Sequence, residues 1–299
     1  MNIHLENVNL QSTSGPNHFA SKLIKYSTVT YDHSKAPDLK LCFIESHAIG
    51  KTPLIQRLDG IYFNTEQPYR LQNYNIQKTY ENAAGVIFQS HFNKELTTRY
   101  FGDHKNSTII HNGADVDFID KIPPLNSKQL DKYENVWCCA SSWRPHKRLA
   151  ENIAYFLEHS SEKDCLIIAG SNAEDIPRND KIFYAGQLNI QQLTSLYKRS
   201  KYFIHLAWLD HCPNVVVDAA ASGCQIICSS AGGTKEIAGS NATVIEEEEW
   251  NFEPVKLYEP PELDFTKKIK NDYIHDYDMK KVAEKYEDFF TSTKRKLDS

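Results

Sequence analysis

The sequence has no apolar run of the roughly eighteen residues that a membrane-spanning helix needs. It also lacks a charged leader followed by an apolar stretch at its start, MNIHLENVNLQ, so no signal peptide is expected. Basic tracts are absent apart from the short Lys294 to Lys296 tail, which reads as a structural or solubilising end. With 34 Lys+Arg against 39 Asp+Glu the formal charge is -5, so there is no electrostatic footprint for nucleic acid. Paired C-x-x-C spacing is missing. The cysteines (Cys42, Cys138, Cys139, Cys165, Cys212, Cys224, Cys228) are odd in number and fall mostly inside apolar, strand-like runs, so they read as reduced, buried residues of a cytoplasmic protein. Two matches to the glycosylation acceptor pattern, at Asn106 and Asn241, read as chance without a secretion signal.

What is present is ordinary for a globular protein: 40% hydrophobic and 24% charged residues over 299 positions, enough for two domains. Short runs rich in branched and aromatic residues alternate with stretches of helical period, which predicts parallel sheets covered by helices. In the second half the strands fall at residues 136–140, 165–169, 182–185, 202–207 and 225–229. Helices are predicted from Leu149, over an apolar face of Ile190, Leu193, Leu196 and Tyr197, and from Pro213. In the first half a helix following Gly15-Pro16 runs through Lys25, with strands at 39–44, 54–57, 86–89 and 108–110. Residues 119–135, with paired prolines and a polar run, read as a linker, and a domain boundary is expected near residue 130. Val282, Ala283, Tyr286, Phe289 and Phe290 mark a final amphipathic helix.

The stretch DHCPNVVVDAAASG sets Asp210 and Asp218 eight positions apart. Two carboxylates can share acid and base work on a glycosidic bond, bind a metal, or hold a polyhydroxylated ligand. Another acidic pair, Asp115-Val116-Asp117, spells a D-x-D that could bind a metal, although its setting in HNGADVDF resembles the N-G-x-D-x-x-x-F segment of the family identified below, which implies a loop or linker role.

Several ordered segments resemble glycosyltransferase family 4, whose fold is GT-B: residues 85–102, 109–119, 141–149, 182–207 and 210–237, with looser matches at 15–23 and 54–64. The resemblance implies an α/β protein of two Rossmann-like, doubly wound domains facing a cleft, with a C-terminal helix returning to the first domain. The expected divisions are 1–130 on the acceptor side, 131–275 for the nucleotide sugar, and 276–299 for the returning helix. The brevity of the first domain resembles compact members of the kind encoded by large DNA viruses, which would place the protein in the host cytoplasm.

The resemblance also assigns roles. Lys147 matches the phosphate lysine. The usual arginine five positions earlier falls on Ser142, so Arg144 is expected to take its place, since a guanidinium can hold two phosphate oxygens. Asp210 and Asp218 stand where the family has E-x7-E, which gives Asp210 to the donated sugar and Asp218 to the ribose. Cys212, Pro213, Asn214 and Val215, at a helix start, are expected near the sugar and distal phosphate. Ser171, Gln187 and Leu188 are expected on the donor, and Gly15 offers a backbone N–H to the diphosphate. Asp59 and His47 are candidates for acceptor contact. No metal and no cofactor are expected. The implied activity is retaining transfer of a hexose from GDP-mannose or UDP-glucose to a glycan or other hydroxyl acceptor. The alternatives are a sugar-nucleotide epimerase or phosphorylase of the same fold, and a non-catalytic nucleotide-sugar binder.

Overall fold

The computed structural model describes residues 1–12 and 15–298. They form two compact units, one of residues 1–113, 251–255 and 278–299, the other of residues 114–250 and 256–277. Each is an α/β unit around a largely parallel sheet.

Unit 1 carries five parallel strands in the order β1-β2-β3-β4-β5: β1 Ile3–Glu6, β2 Leu39–Phe43, β3 Leu54–Leu58, β4 Gly85–Phe88 and β5 Ser107–Ile109. Alternation along these strands divides the unit into two faces. Leu41, Phe43, Ile55 and Ile87 meet α1 (Gly15–Tyr26) and α9 (Met279–Asp298) through Phe19, Leu23, Val282, Tyr286 and Phe290. On the other face, α2 (Tyr69–Asn82) and α3 (His91–Phe101) cover β3 and β4, and Tyr80 lies against Phe88 at 6.4 Å between ring centroids. The last helix therefore belongs to the N-terminal unit.

Unit 2 begins with the short helix α4 (Val116–Lys121), followed by β6 Asn135–Ala140, α5 Leu149–His159, β7 Asp164–Ala169, β8 Ile182–Gly186, α6 Ile190–Arg199, β9 Tyr202–His205, α7 Asn214–Ala221, β10 Gln225–Ser229, α8 Thr234–Ile237, β11 Thr243–Ile245 and β12 Lys268–Ile269. The sheet order is β12-β11-β10-β9-β6-β7-β8, parallel except for β12. The chain thus winds outward from β6 through β7 to β8, then returns to the other side of β6 and continues through β9. Val136, Cys138 and Ala140 of β6 face the core shared with α6 and α7, whereas Trp137 and Cys139 face the core shared with α5. Burial on both faces explains the near-continuous apolar strands that made this half readable.

Residues 119–135 are packed onto unit 2. Leu130 and Tyr133 are buried, and the Leu125 amide donates to the Ser195 carbonyl at 2.8 Å. Asp115 caps α4, its side chain accepting from the Phe118 amide at 3.0 Å, which gives one carboxylate of the D-x-D a local structural job. All seven cysteines are buried and unbridged. Among the described residues no helix is long and apolar enough to cross a membrane.

Candidate functional site

In an open parallel sheet, ligands bind outside the carboxyl ends of the strands where the winding direction reverses. In unit 2 that point lies between β6 and β9. These two strands pair only at Trp137↔Tyr202 and Cys138↔Phe203, so their ends diverge. The segment after β6 carries Lys147, and the segment after β9 carries Asp210. The switch point therefore brings together two residues 63 positions apart: Lys147 Nζ lies 2.5 Å from Asp210 Oδ2, with the side chains 18% and 14% exposed.

His205, the last residue of β9, approaches the same oxygen with Nε2 at 2.9 Å. The Asp210 carboxyl is held well below the usual range. Burial would raise it, but the Lys147 charge and the His205 hydrogen bond outweigh burial. An ionised carboxylate only accepts, so His205 donates from Nε2. Burial keeps the His205 imidazole below its ordinary value despite Asp210. His146 is pushed down to about 3, chiefly by burial and then by Lys147, and burial also pushes His211 down to about 4. Three neutral imidazoles therefore surround one ion pair. The backbone of the same loop is constrained too. Leu209 adopts φ 56°, and the Gly233 amide donates to the Asp210 carbonyl at 2.7 Å. Gly232, at φ 95°, approaches so closely that a Cβ there would sit 2.6 Å from that carbonyl oxygen.

The lysine turn has its own support. Residues 145–147 form one 3-10 turn, and Arg148 ends it in the left-handed region at φ 54°. Its guanidinium is buried and makes a two-pronged pair with Glu247, both contacts at 2.8 Å, and also donates to the Leu206 and Pro261 carbonyls. Asn152 closes the arrangement: Nδ2 donates to the Lys147 and Arg148 carbonyls, and Oδ1 accepts from the Leu206 amide. A buried, doubly bonded guanidinium thus fixes the backbone next to Lys147 to the ends of β9 and β11. Arg148 and Glu247 are supports that the sequence does not mark, whereas His205 is among its candidate histidines. Arg148 stands in a left-handed position usually filled by glycine, and Glu247 lies in the acidic run 246–249, so neither carried a local signal.

The remaining expected residues fall as follows. Arg144 precedes the 3-10 turn in extended conformation and is exposed; its carbonyl accepts from the Lys147 amide at 2.8 Å, and its side chain makes no hydrogen bond or ion pair with the described residues. Ser142 and Ser171 follow β6 and β7 and meet side chain to side chain at 3.3 Å. Gln187 and Leu188 form the turn after β8. Leu188 lines a cavity of about 540 Å³ together with Ile122, Pro123, Leu125, Ala185 and Leu196. Cys212 is buried, and Pro213 stands at the N-cap position of α7, before its first residue Asn214, where proline has no side-chain group to cap the helix. Val215 is half-buried, while Asp218 lies buried one turn further along α7. Gly15 belongs to unit 1, exposed at the first position of α1. Asp59 and His47 are also in unit 1, with His47 exposed beside Glu45.

Residues 126–251 match the family model described as "Glycosyl transferases group 1". Solved structures match over almost the whole chain. Anabaena HepE, described in complex with UDP-glucose, shares 12% identity and a TM-score of 0.66 over 98% of this chain and 100% of that one. A glycosyltransferase from Rickettsia africae shares 16% identity and a TM-score of 0.58 over 98% of both chains. Sucrose-phosphate synthase from Thermosynechococcus elongatus shares 11% identity and a TM-score of 0.59 over 83% of this chain and 86% of that one. No curated protein sequence matched. The family match spans Lys147, Asp210 and Asp218, so residues 126–251 are similar to a group 1 glycosyltransferase domain, and the chain has a GT-B fold.

Proposed function

We propose that this chain is a family 4 glycosyltransferase that moves a hexose, with retention, from a nucleoside-diphosphate sugar to a hydroxyl acceptor. The observation that carries this reading is the Lys147–Asp210 pair at the switch point between β6 and β9. An ammonium has three donors, and among the described residues Lys147 uses one, on Asp210, which leaves two for a diphosphate. Arg144, whose exposed side chain is unpaired, supplies a second cation, and the start of α7 turns backbone N–H groups towards an anion.

In the reaction, the bond from the anomeric carbon to the diphosphate oxygen breaks and charge grows on the leaving phosphate. Groups already in place for that charge lower the barrier. The acceptor oxygen attacks the same face, and its proton passes to the departing phosphate oxygen. Asp210, kept ionised, receives sugar hydroxyls, and Asp218 receives the ribose hydroxyls. The apolar cavity beside Leu188 suits a base ring, with Gln187 in the same turn. No metal or cofactor has a step in this scheme. UDP-glucose is the first donor to test, given the ligand of HepE, followed by GDP-mannose. The unbridged cysteines support a reducing compartment, the cytoplasm.

A thermal-shift panel of nucleotide sugars identifies the donor, because a ligand that binds only the folded state raises its stability. Proton NMR of the product, run with and without EDTA, then reads the anomeric configuration and any metal requirement. Asp218→Asn is expected to weaken donor affinity about tenfold. Unchanged affinity removes Asp218 from the site, and donor binding without turnover against a broad acceptor panel favours the non-catalytic binder.

A further inference from the structure

Unit 1 buries a guanidinium that the scheme above does not use. Arg57 lies on β3, where all five residues are buried, and is itself 1% exposed. A charge so placed must be paired and hydrogen-bonded. Its Nε donates to the Tyr286 hydroxyl at 3.0 Å and Nη2 to Asn112 Oδ1 at 2.8 Å, while Nη1 meets Asp59 Oδ1. The rings of Phe19 and Phe43 lie 4.0 and 5.1 Å from the guanidinium carbon. Gln89 closes a circuit: Nε2 donates to the same Asp59 Oδ1, and Oε1 accepts from Asn112 Nδ2 at 2.9 Å. Asp59, Gln89 and Asn112 follow β3, β4 and β5 respectively, so the circuit sits at the carboxyl ends of three neighbouring strands.

Within this circuit, Asp59 differs from an ordinary buried counter-ion. Glu247 gives both of its oxygens to Arg148 and is 4% exposed. Asp59 gives only Oδ1, and its side chain is 19% exposed. Oδ2 makes no hydrogen bond to any described residue and is not closed off from solvent. We propose that Asp59 Oδ2 is the hydrogen-bond acceptor for a hydroxyl of a neutral, polyhydroxylated acceptor, with Arg57, Gln89 and Asn112 as positioning residues. This inference rests on the transferase reading. An ionised carboxylate can only accept, so the ligand group must donate. A ligand carboxylate or phosphate at this point would meet a like charge. Asp59 orients the hydroxyl, and the proton still travels to the leaving phosphate.

Saturation-transfer NMR on the full chain saturated with UDP tests this, using methyl α-glucoside, methyl α-mannoside, methyl β-galactoside and glucuronate as probes. The wild type is expected to bind at least one neutral glycoside and to reject glucuronate. Asp59→Asn should weaken that glycoside about tenfold or more, the size of a hydrogen bond to a charged group, with UDP affinity by calorimetry unchanged. Asp59→Glu keeps the charge opposite Arg57 and moves the oxygen by one methylene. It is expected to fold and to bind the glycoside more weakly as well. The inference is overturned by wild-type glycoside affinity in both variants, by glucuronate binding in preference to glucoside, or by UDP-loaded wild type that takes up no glycoside. Absence of UDP binding in the wild type is a separate result and counts against the donor reading.

Discussion

At the carboxyl ends of the strands, the Lys147–Asp210 pair of unit 2 and the Arg57–Asp59 pair of unit 1 leave opposite members with unfilled hydrogen-bonding capacity. In unit 2 the Asp210 carboxylate is engaged on both oxygens, by Lys147 and His205 on Oδ2 and by the His211 amide on Oδ1, while two donors of Lys147 remain. In unit 1 the cation is the engaged partner: all three nitrogens of Arg57 are bonded, and Asp59 keeps one oxygen open. The same pair of charge types therefore presents a cation in one unit, suited to a diphosphate, and an anion in the other, suited to hydroxyls. Which partner keeps unused donors or acceptors decides which ligand chemistry the edge can accept.

One large expected effect comes from removing the support beside Lys147. Arg148→Met leaves Glu247 buried without its partner and should cost about 3–5 kcal/mol in urea denaturation, most of it recovered in Arg148→Met/Glu247→Leu. Asp59→Asn, at a partly exposed pair, should destabilise less, and equal losses would break the distinction between a closed and an open pair.

A second effect is specific to the unit 2 site and is read by pH. His146 and His211 stand at about 3 and 4 in the folded chain, against an ordinary 6.5. A depressed histidine takes up its proton on unfolding. Stability is therefore full above the unfolded value and falls as pH drops from 6.5 towards 4, by about 1.4 kcal/mol per pH unit for each proton. Asp210 adds a loss in the same sense only below the ordinary carboxylate value. His146→Gln should flatten the slope of unfolding free energy between pH 6.5 and 4, and an unchanged slope would show that His146 charges in the folded chain.

Unit 2 was the more legible half. Its strands are buried on both faces, so apolar runs such as 165–169 and 225–229 announced them within a residue, and the helix starts at Leu149 and Asn214 followed. Lys147 and Asp210 were legible as types at known spacing, but their pairing was not, because it depends on β6 and β9 becoming neighbours across 63 positions. In unit 1, β1, α2 and α3 were not assigned. The α2 stretch YRLQNYNIQKTYEN is mostly polar and buries only Asn73, Ile76, Thr79 and Tyr80, which leaves little apolar period to read. Asp59 was legible as a candidate. The circuit that orients it joins three strand ends, and no local pattern contains it.

The central claim, that unit 2 presents Lys147 to a nucleoside diphosphate, is tested most directly by titrating UDP-glucose and UDP into the wild type and Lys147→Ala by calorimetry. The predicted result is measurable binding to the wild type and a loss of about 10- to 100-fold in the variant, the scale of one charged donor on a phosphate. Equal affinity in the two proteins, with both folded, would contradict it.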